Sequence, residues 1–314
     1  MRPLLFPLLC AGVACDASFP LGNIPVGDVV VESPEAPVCA APPPGIDPCA
    51  IVSPTATCGG FTTITEALGT SGCGLIWIAP GSYDESTGEF FPLAVPAGVT
   101  LLGDEETLGA STIVSQLAPV ADAAAVTVQL ADDAVVGGLT LMSAAVTTQA
   151  SVVLLAAAGP TLRNSTVRGV GSECDGSPTP CALGVRLTQA SADVSLLGNR
   201  IEQTAGGVAL EGTSLLEGNV IVDNGFGMRL GGDGFADLGG GRSAGGNVFS
   251  CNAYFDVLIT GFTGTLSMSD NAWDHAPPSS AASPSCVEGA TDICAPAGFA
   301  VVVARPTLLE DGCD

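Results

Sequence analysis

The sequence contains no lysine and a single histidine, His275, among its 314 residues. Only 8 side chains are basic against 32 aspartates and glutamates, so the formal net charge is −24 at pH 7. A surface of this sign repels nucleic-acid phosphates and anionic lipid headgroups. Nucleic acid is therefore excluded as a partner, and an acidic polysaccharide is disfavoured unless cations bridge it. Catalysis that needs a histidine has His275 alone to use.

Aromatic residues are also scarce, with two tryptophans and two tyrosines, whereas glycine (41) and proline (23) are abundant. This composition argues against long helices and indicates many tight turns. Hydrophobic residues still make up 47% of the chain, which argues against global disorder. Small and β-branched side chains dominate, as expected for a thin core between β-strands.

Twelve cysteines are present, and none belongs to a Cys-x-x-Cys pair of the kind that structural zinc sites use. Their spacing instead predicts disulfides formed in an oxidising compartment. We expect three local pairs, while the remaining connectivity stays open. These pairs are Cys58 with Cys73, Cys174 with Cys181, and Cys286 with Cys294.

The N-terminal segment has the pattern of a secretory signal. One arginine precedes an apolar run at residues 4–14, which is too short to span a bilayer. The sequence Gly-Val-Ala-Cys at residues 12–15 resembles the lipobox of bacterial lipoproteins, whose cysteine becomes the lipid-modified N-terminus. Residues 1–14 are therefore predicted to be a signal peptide and Cys15 the lipid attachment site. An ordinary signal peptide cut near Ala14 is the alternative.

Residues 15–57 are predicted to be a proline-rich linker, with nine prolines from residue 16 onward. Residues 58–314 are predicted to be one folded domain. The expected location is extracytoplasmic, either at a bacterial outer membrane or cell surface through the lipid anchor, or secreted. The lipid is the only membrane contact expected, and the protein is expected to be a monomer.

From residue 58 onward, short apolar runs recur, each holding two strand-sized pieces separated by a polar or glycine break. Repetition at about 20 to 30 residues indicates a solenoid, and strands that alternate with turns favour a β-solenoid. Asparagines recur in like positions of these runs, at Asn164, Asn199, Asn219, Asn247 and Asn271. Since stacked coils place equivalent residues above one another, these asparagines are predicted to form a structural ladder rather than a catalytic group.

The start of the domain carries a resemblance to a known family. The segment FTTITEALGTSG (61–72) has helical apolar spacing and Thr62 or Thr63 as N-cap, which predicts a short capping helix. FTTITEAL, IAPGSY and GEFFPLAVPAGVTLLGDE (88–105) resemble an uncharacterised bacterial family of pectin-lyase-like right-handed parallel β-helix proteins. GGNVFSCN (245–252) and NAWDHAPP (271–278) resemble its closing coils. The resemblance covers residues 58–295 and implies an all-β, single-stranded right-handed parallel β-helix, with no assigned reaction.

Two acidic clusters are candidate calcium ligands, because parallel β-helix lyases commonly hold calcium with several carboxylates. They are Asp104, Glu105 and Glu106 in the first cluster, and Asp132 and Asp133 in the second. Their separation of 26–29 residues is close to one coil, so they are expected to approach each other at one line of turns. No cofactor is required by the sequence, and calcium is left open.

Trp273 and His275 lie just before a proline-rich segment near the C-terminal end of the repeats. Packing at the end of the core is the expected role, and a ligand-stacking platform is the alternative. Asp274 is not expected to orient His275, since neighbours on an extended chain point to opposite faces.

Two functional hypotheses follow. The first is a non-catalytic cell-surface lipoprotein that is structural or binds glycan or matrix components along its elongated face. The second is a polysaccharide-active enzyme, either a calcium-dependent lyase or a glycoside hydrolase, argued by analogy from the fold. An enzyme requires an arginine and several carboxylates that converge on adjacent coils, whereas a binder does not.

Overall fold

The apolar runs form short parallel strands in three sheets, which we name A, B and C. The computed structural model describes residues 41–55, 60–116, 125–144, 150–169, 182–232, 234–261 and 265–309, all within one unit, Cys39–Asp314. Strands are numbered along the chain. In spatial order, sheet A consists of β1 (Ala50–Val52), β2 (Leu75–Ile78), β5 (Thr100–Leu102), β8 (Val135–Gly137), β11 (Thr161–Arg163), β14 (Val194–Leu197), β17 (Thr213–Glu217) and β20 (Phe235–Asp237).

Sheets B and C run beside it, each with nine strands in the described residues. Sheet B consists of β3 (Gly81–Tyr83), β6 (Thr112–Gln116), β9 (Thr140–Ser143), β12 (Thr166–Gly169), β15 (Arg200–Glu202), β18 (Val220–Val222), β21 (Val248–Ser250), β24 (Ala272–Trp273) and β28 (Thr307–Leu308). Sheet C consists of β4 (Leu93–Val95), β7 (Val126–Leu130), β10 (Ser151–Leu155), β13 (Leu183–Leu187), β16 (Gly206–Leu210), β19 (Phe226–Gly231), β22 (Phe255–Thr260), β26 (Ile293–Ala295) and β25 (Ser280–Ala282). A further pair joins β23 (Thr265–Ser267) and β27 (Ala300–Val302).

The order of these strands defines the fold. From β2 to β22 the chain visits sheets A, B and C in strict rotation, and each strand pairs in parallel with its equivalent one coil later. Connections between parallel strands of one sheet are almost always right-handed, because the strand twist favours that return. The protein is a right-handed parallel β-helix, which confirms the fold expected from the sequence.

The core is built from columns of apolar side chains in register across the coils. In sheet B one column runs through Val114, Leu141, Val167, Ile201, Ile221, Phe249 and Trp273. All seven side chains are fully buried. Burial of such a side chain contributes about 1.5–3 kcal/mol, so these stacked columns stabilise a coil that is only three short strands long.

A five-residue helix, α1 (Ile64–Leu68), lies near the first strands. The Thr63 side chain caps it by accepting a hydrogen bond from the amide of Glu66, as the sequence predicts. The buried carboxylate of Glu89 accepts hydrogen bonds from the amides of Ile64 and Thr65, where the helix dipole favours negative charge. In the described part of the chain, no helix has the length and apolarity needed to cross a membrane.

The first strand of the β-helix, β1, lies before residue 58, where the sequence places the start of the folded domain. β1 pairs with β2 along its whole length. Cys49, directly before β1, forms a disulfide with Cys73, two residues before the start of β2. Cys73 is therefore not paired with Cys58, because the strand pairing brings Cys49 beside it. Cys58 itself lies outside the described residues.

The second described disulfide is the predicted one between Cys286 and Cys294. Cys251 is also disulfide-bonded. Cys15, Cys174 and Cys181 lie outside the described residues, so the lipid site and the third local disulfide remain predictions.

The Cys49–Cys73 disulfide gives a stability prediction. It closes a loop of 24 residues in sequence separation, and the chain-entropy model assigns such a crosslink about 3 kcal/mol. We expect the double variant C49S/C73S to lose about that much free energy of unfolding, measured by urea denaturation. The matched variant C286S/C294S removes a disulfide whose sequence separation is only 8, so it should lose less free energy of unfolding. An equal loss in both variants would contradict the loop-length argument, and a non-reducing peptide map that pairs Cys73 with Cys58 would contradict the connectivity.

The predicted asparagine ladder is present at four of its five positions. The side-chain oxygens of Asn219, Asn247 and Asn271 each accept hydrogen bonds from the backbone and side-chain amides of the ladder residue one coil earlier. Asn199 starts this series, and its own oxygen accepts from the amide of Ser165. Asn164 is therefore one position off the ladder, and its side chain bonds Glu105 instead.

A second ladder lies five residues further along each coil, and the sequence reading missed it. The oxygen of Asn224 accepts from the amide and hydroxyl of Thr204, and the oxygen of Asn252 accepts from the amide of Asn224. The sequence contains a signal for this second ladder, because Asn219 and Asn224 have the same spacing as Asn247 and Asn252. Asp256 ends this line by accepting a hydrogen bond from the Asn252 side chain.

Candidate functional site

The outer face of sheet C carries a shallow cleft that contains two arginines. In β13, β16 and β19 the outward positions Arg186, Ala209 and Arg229 are in register. Strands in a sheet are about 4.8 Å apart, so the two arginine Cα atoms are about 10 Å apart with the small Ala209 between them. The cleft has a volume of about 330 Å³, and Leu183 and Glu211 also line it.

These two arginines differ from most others in the chain. Within the described residues, four arginines form ion pairs with carboxylates: Arg163 with Glu105, Arg200 with Glu202, Arg242 with Asp193, and Arg305 with Asp270. Arg186 and Arg229 form none in the same part of the chain. In a protein with a net charge of −24, two neighbouring arginines that form no ion pair with a described carboxylate make a local positive site, although Glu211 lines the same cleft.

Aromatic rings adjoin one end of this cleft. Phe226 lies in the same cross-strand row as Leu183, with Gly206 between them. The Phe226 ring is 5.1 Å from the Tyr254 ring and 6.2 Å from the Phe255 ring, between centroids. Phe226 and Tyr254 are half-buried, so part of each ring reaches the surface. The face therefore combines guanidinium groups with aromatic surface, a combination typical of binding sites for polar ligands that have an apolar face.

The predicted calcium ligands do not come together, and that expectation is wrong. Asp104, Glu105 and Glu106 follow β5, whereas Asp132 and Asp133 precede β8. Because β5 and β8 are parallel neighbours, the clusters lie at opposite ends of the paired strands. Several of the carboxylates already have protein partners: Asp104 caps its own turn, Asp132 accepts from the amide of Ala158, and Glu105 pairs with Arg163 at 2.8 Å.

Trp273 and His275, the alternative ligand-stacking platform, have different surroundings in the structure. Trp273 is fully buried and packs on Phe249 with ring centroids 5.0 Å apart, so it belongs to the core and cannot stack on a ligand. The side chain of His275 is 69% exposed. Its Nδ1 lies 2.9 Å from Oδ1 of Asp274, contrary to the expectation for an extended chain, because β24 ends at Trp273 and the chain bends there.

Asp256 is a buried acid near this histidine. The residue is 4% exposed, and its carboxylate accepts a hydrogen bond of 2.7 Å from the Asn252 side chain. Burial, together with the neighbouring carboxylates of Asp274 and Asp292, raises the pKa of Asp256 to about 7, although the hydrogen bond from Asn252 opposes the shift. The pKa of His275 is raised by the same carboxylates, mainly that of Asp274. The sequence reading named neither Asp256 nor the two arginines of the cleft as site residues.

Comparison with protein families identifies the chain. Residues 57–280, most of the sequence, match the family described as Protein of unknown function (DUF1565). The chain belongs to this family. DUF1565 carries no assigned activity, in agreement with the resemblance noted in the sequence. Among curated proteins, none matches the chain.

Two solved structures are similar to this DUF1565 protein in fold. A pectin methylesterase in complex with a hexasaccharide is 13% identical with a TM-score of 0.35, over 73% of this chain. The match spans 66% of that enzyme, just under two thirds of its length. The pectin methylesterase from carrot is 15% identical with a TM-score of 0.39, over 82% of this chain and 89% of its own. At these identities the common feature is the parallel β-helix alone.

Proposed function

We propose that the protein is a non-catalytic, extracytoplasmic β-helix protein that binds an acidic polysaccharide on the outer face of sheet C. The observation that carries this proposal is the cleft in which Arg186 and Arg229 have no ion pair within the described chain. A guanidinium group binds a carboxylate with two parallel hydrogen bonds, so this pair suits the carboxylates of successive acidic sugars.

The net negative charge of the protein repels a polyanion at long range, but it does not determine whether groups in direct contact attract each other. Charges further than about 8 Å are largely screened at physiological salt, whereas a guanidinium and a carboxylate in contact are not. Sugar rings also have apolar faces, and the half-buried residues Phe226 and Tyr254, which lie beyond the lining of the cleft, would supply a surface for them.

The cleft has little that would support catalysis. Hydrolysis of a glycosidic bond uses two carboxyl groups that flank the bond, and among the described residues that line this cleft only Glu211 is acidic. The carboxyl group whose pKa is about 7, Asp256, is buried and cannot contact a polymer. These observations favour the binder over the enzyme.

The same proposal includes the location and the anchor. A signal peptide at residues 1–14, a lipid on Cys15 and a proline-rich segment behind it would hold the β-helix away from a membrane surface. The disulfides Cys49–Cys73 and Cys286–Cys294 support an oxidising compartment. A monomer with one long open face would bind a polymer along its coils.

The test is binding of the full chain to polyuronates, with a neutral polysaccharide as reference, by calorimetry at about 0.15 M salt. We expect binding to the polyuronate that the variant R186Q/R229Q weakens at least about tenfold, since a hydrogen bond to a charged group contributes about 1.5–3 kcal/mol. The control R242Q/R305Q removes the same charge from two arginines that are paired elsewhere and should bind like the natural protein.

Two results would contradict the proposal. Equal weakening by both double variants would mean that overall charge, rather than the cleft, governs binding. Growth of absorbance near 235 nm or release of reducing ends during incubation would identify an enzyme and overturn the non-catalytic reading.

A further inference from the structure

Three side chains in the last coils form a set of metal-ligand atoms separate from the arginine cleft. Nδ1 of His275 lies 2.9 Å from Oδ1 of Asp274 and 3.4 Å from Oδ1 of Asp292. The three residues offer ligand atoms that all lie within 4.8 Å of one another. We propose that this set, the Asp-His-Asp site, binds one divalent transition-metal ion of the zinc type.

The distances fit such an ion. Zinc binds nitrogen and carboxylate oxygen at about 2.0–2.2 Å in tetrahedral geometry, which places neighbouring ligand atoms about 3.4 Å apart. The His275–Asp292 separation of 3.4 Å equals that value, the His275–Asp274 separation of 2.9 Å is shorter by about 0.5 Å, and all three ligand atoms lie within 4.8 Å of one another. Three protein ligands leave the fourth position for water, as in open zinc sites. An imidazole among the donors favours zinc, copper or nickel over calcium, which takes six to eight oxygens.

Both carboxylates are held in place before any ion arrives. Oδ2 of Asp274 accepts a hydrogen bond from the amide of Cys251, and Oδ2 of Asp292 accepts from the amide and hydroxyl of Ser279. In each residue the other oxygen, Oδ1, is the one near His275. Hydrogen bonds to the second oxygen of a ligating carboxylate are typical of metal sites, because they fix the orientation of the ligand.

The two negative charges of the site give a further reason to expect a divalent ion. The side chains of Asp274 and Asp292 are only 13% and 10% exposed, and both face the same imidazole. Two carboxylates buried together are costly unless they are compensated. A proton on His275 balances one carboxylate, whereas a divalent cation balances both. The imidazole is 69% exposed, so an ion from solution can reach it.

The site draws on two successive coils of the solenoid. Asp274 follows β24, Asp292 precedes β26, and the Cys251 amide that holds Asp274 follows β21. A bound ion would therefore hold together the C-terminal coils, and it would raise the thermal midpoint according to its affinity for the folded chain.

The experiment is calorimetric titration of the full chain with Zn²⁺ after treatment with chelator, together with thermal unfolding in the presence and absence of Zn²⁺. We expect one Zn²⁺ per chain and a higher thermal midpoint. H275A and D292N should each weaken binding at least about tenfold. Since His275 is exposed, H275A tests the site without disturbing the core.

The matched control is E288Q, which removes an exposed carboxylate near Asp292 in sequence and should keep the natural stoichiometry and affinity. Absence of saturable Zn²⁺ binding to the natural chain would overturn the proposal, as would equal affinity in H275A. A parallel titration with Ca²⁺ tests the ion class, and Ca²⁺ binding tighter than Zn²⁺ binding would overturn that part of it.

Discussion

Replacing Asn219 with alanine is expected to lower the free energy of unfolding by about 4–6 kcal/mol, because it interrupts the asparagine ladder in the middle. The Asn219 side chain donates to the carbonyl of Leu196 and to Oδ1 of Asn247, and it accepts from the backbone and side-chain amides of Asn199. Alanine removes these bonds at a fully buried position, where each polar group left without a partner costs about 1–3 kcal/mol.

The measurement is urea unfolding followed by circular dichroism. Asn219→Ser provides a graded variant, because serine keeps one hydroxyl and already occupies the equivalent position at Ser165. The control is Asn164→Gly, which removes an asparagine side chain off the ladder and keeps a backbone that tolerates its φ of 44°. We expect a loss below about 1.5 kcal/mol there. A loss in Asn219→Ala no larger than in Asn164→Gly would show that the ladder does not stabilise the coils.

The fold was largely predictable from the sequence, because a solenoid repeats the same local rule. Short apolar strands, turns between them and an asparagine at one bend recur through the chain, and each coil contacts mainly its neighbours. Where the prediction failed, the error was one of register or of pairing over distance. Asn164 is one residue from the ladder, and Cys73 pairs with Cys49 because β1 begins the sheet earlier than the apolar pattern suggested.

The cleft was less predictable, although alignment of the coils contains a signal for it. The segments GVRL (184–187), GVAL (207–210) and GMRL (227–230) are equivalent parts of sheet C, and their third positions are the outward residues Arg186, Ala209 and Arg229. The first positions are glycines for a steric reason. A Cβ atom at Gly207 would lie 2.6 Å from the carbonyl oxygen of Gly227. Which of these positions faces outward depends on the register of the coils, and the local sequence pattern does not predict that register.

In the next coil, an aspartate occupies the position equivalent to these glycines. In DVLI (256–259) Asp256 occupies the glycine position, beside Asp292, which directly precedes the neighbouring strand β26. The Asp-His-Asp site could not be predicted from the sequence, since Asp292 is 17 residues from His275 and only the fold of the chain between β24 and β26 brings the two together. Local periodicity thus predicts the coils, while sites built between coils depend on register.

Asp256 makes the stability of the protein depend on pH between about 4 and 7. Its pKa is about 7 in the folded chain against an ordinary value of 3.8, so the folded state holds a proton that the unfolded state has released. The resulting stabilisation is complete below pH 3.8 and is lost as the pH rises through 7. Three pKa units correspond to about 4 kcal/mol. His275, whose pKa is also raised, changes stability in the same direction as it loses its proton at higher pH.

We therefore expect the urea midpoint of the natural chain, measured in chelator, to fall from pH 5 to pH 8, and the midpoint of Asp256→Asn to fall much less. Asparagine keeps an oxygen that accepts the hydrogen bond from Asn252, and it carries no charge to bury beside Asp274 and Asp292. At pH 8 this variant should be the more stable protein, by up to about 4 kcal/mol. The control Asp223→Asn changes an exposed carboxylate in a turn and should follow the natural curve. If Asp256→Asn keeps the natural slope between pH 5 and pH 8, Asp256 is ionised in the folded chain and the last coils hold their carboxylates by another means.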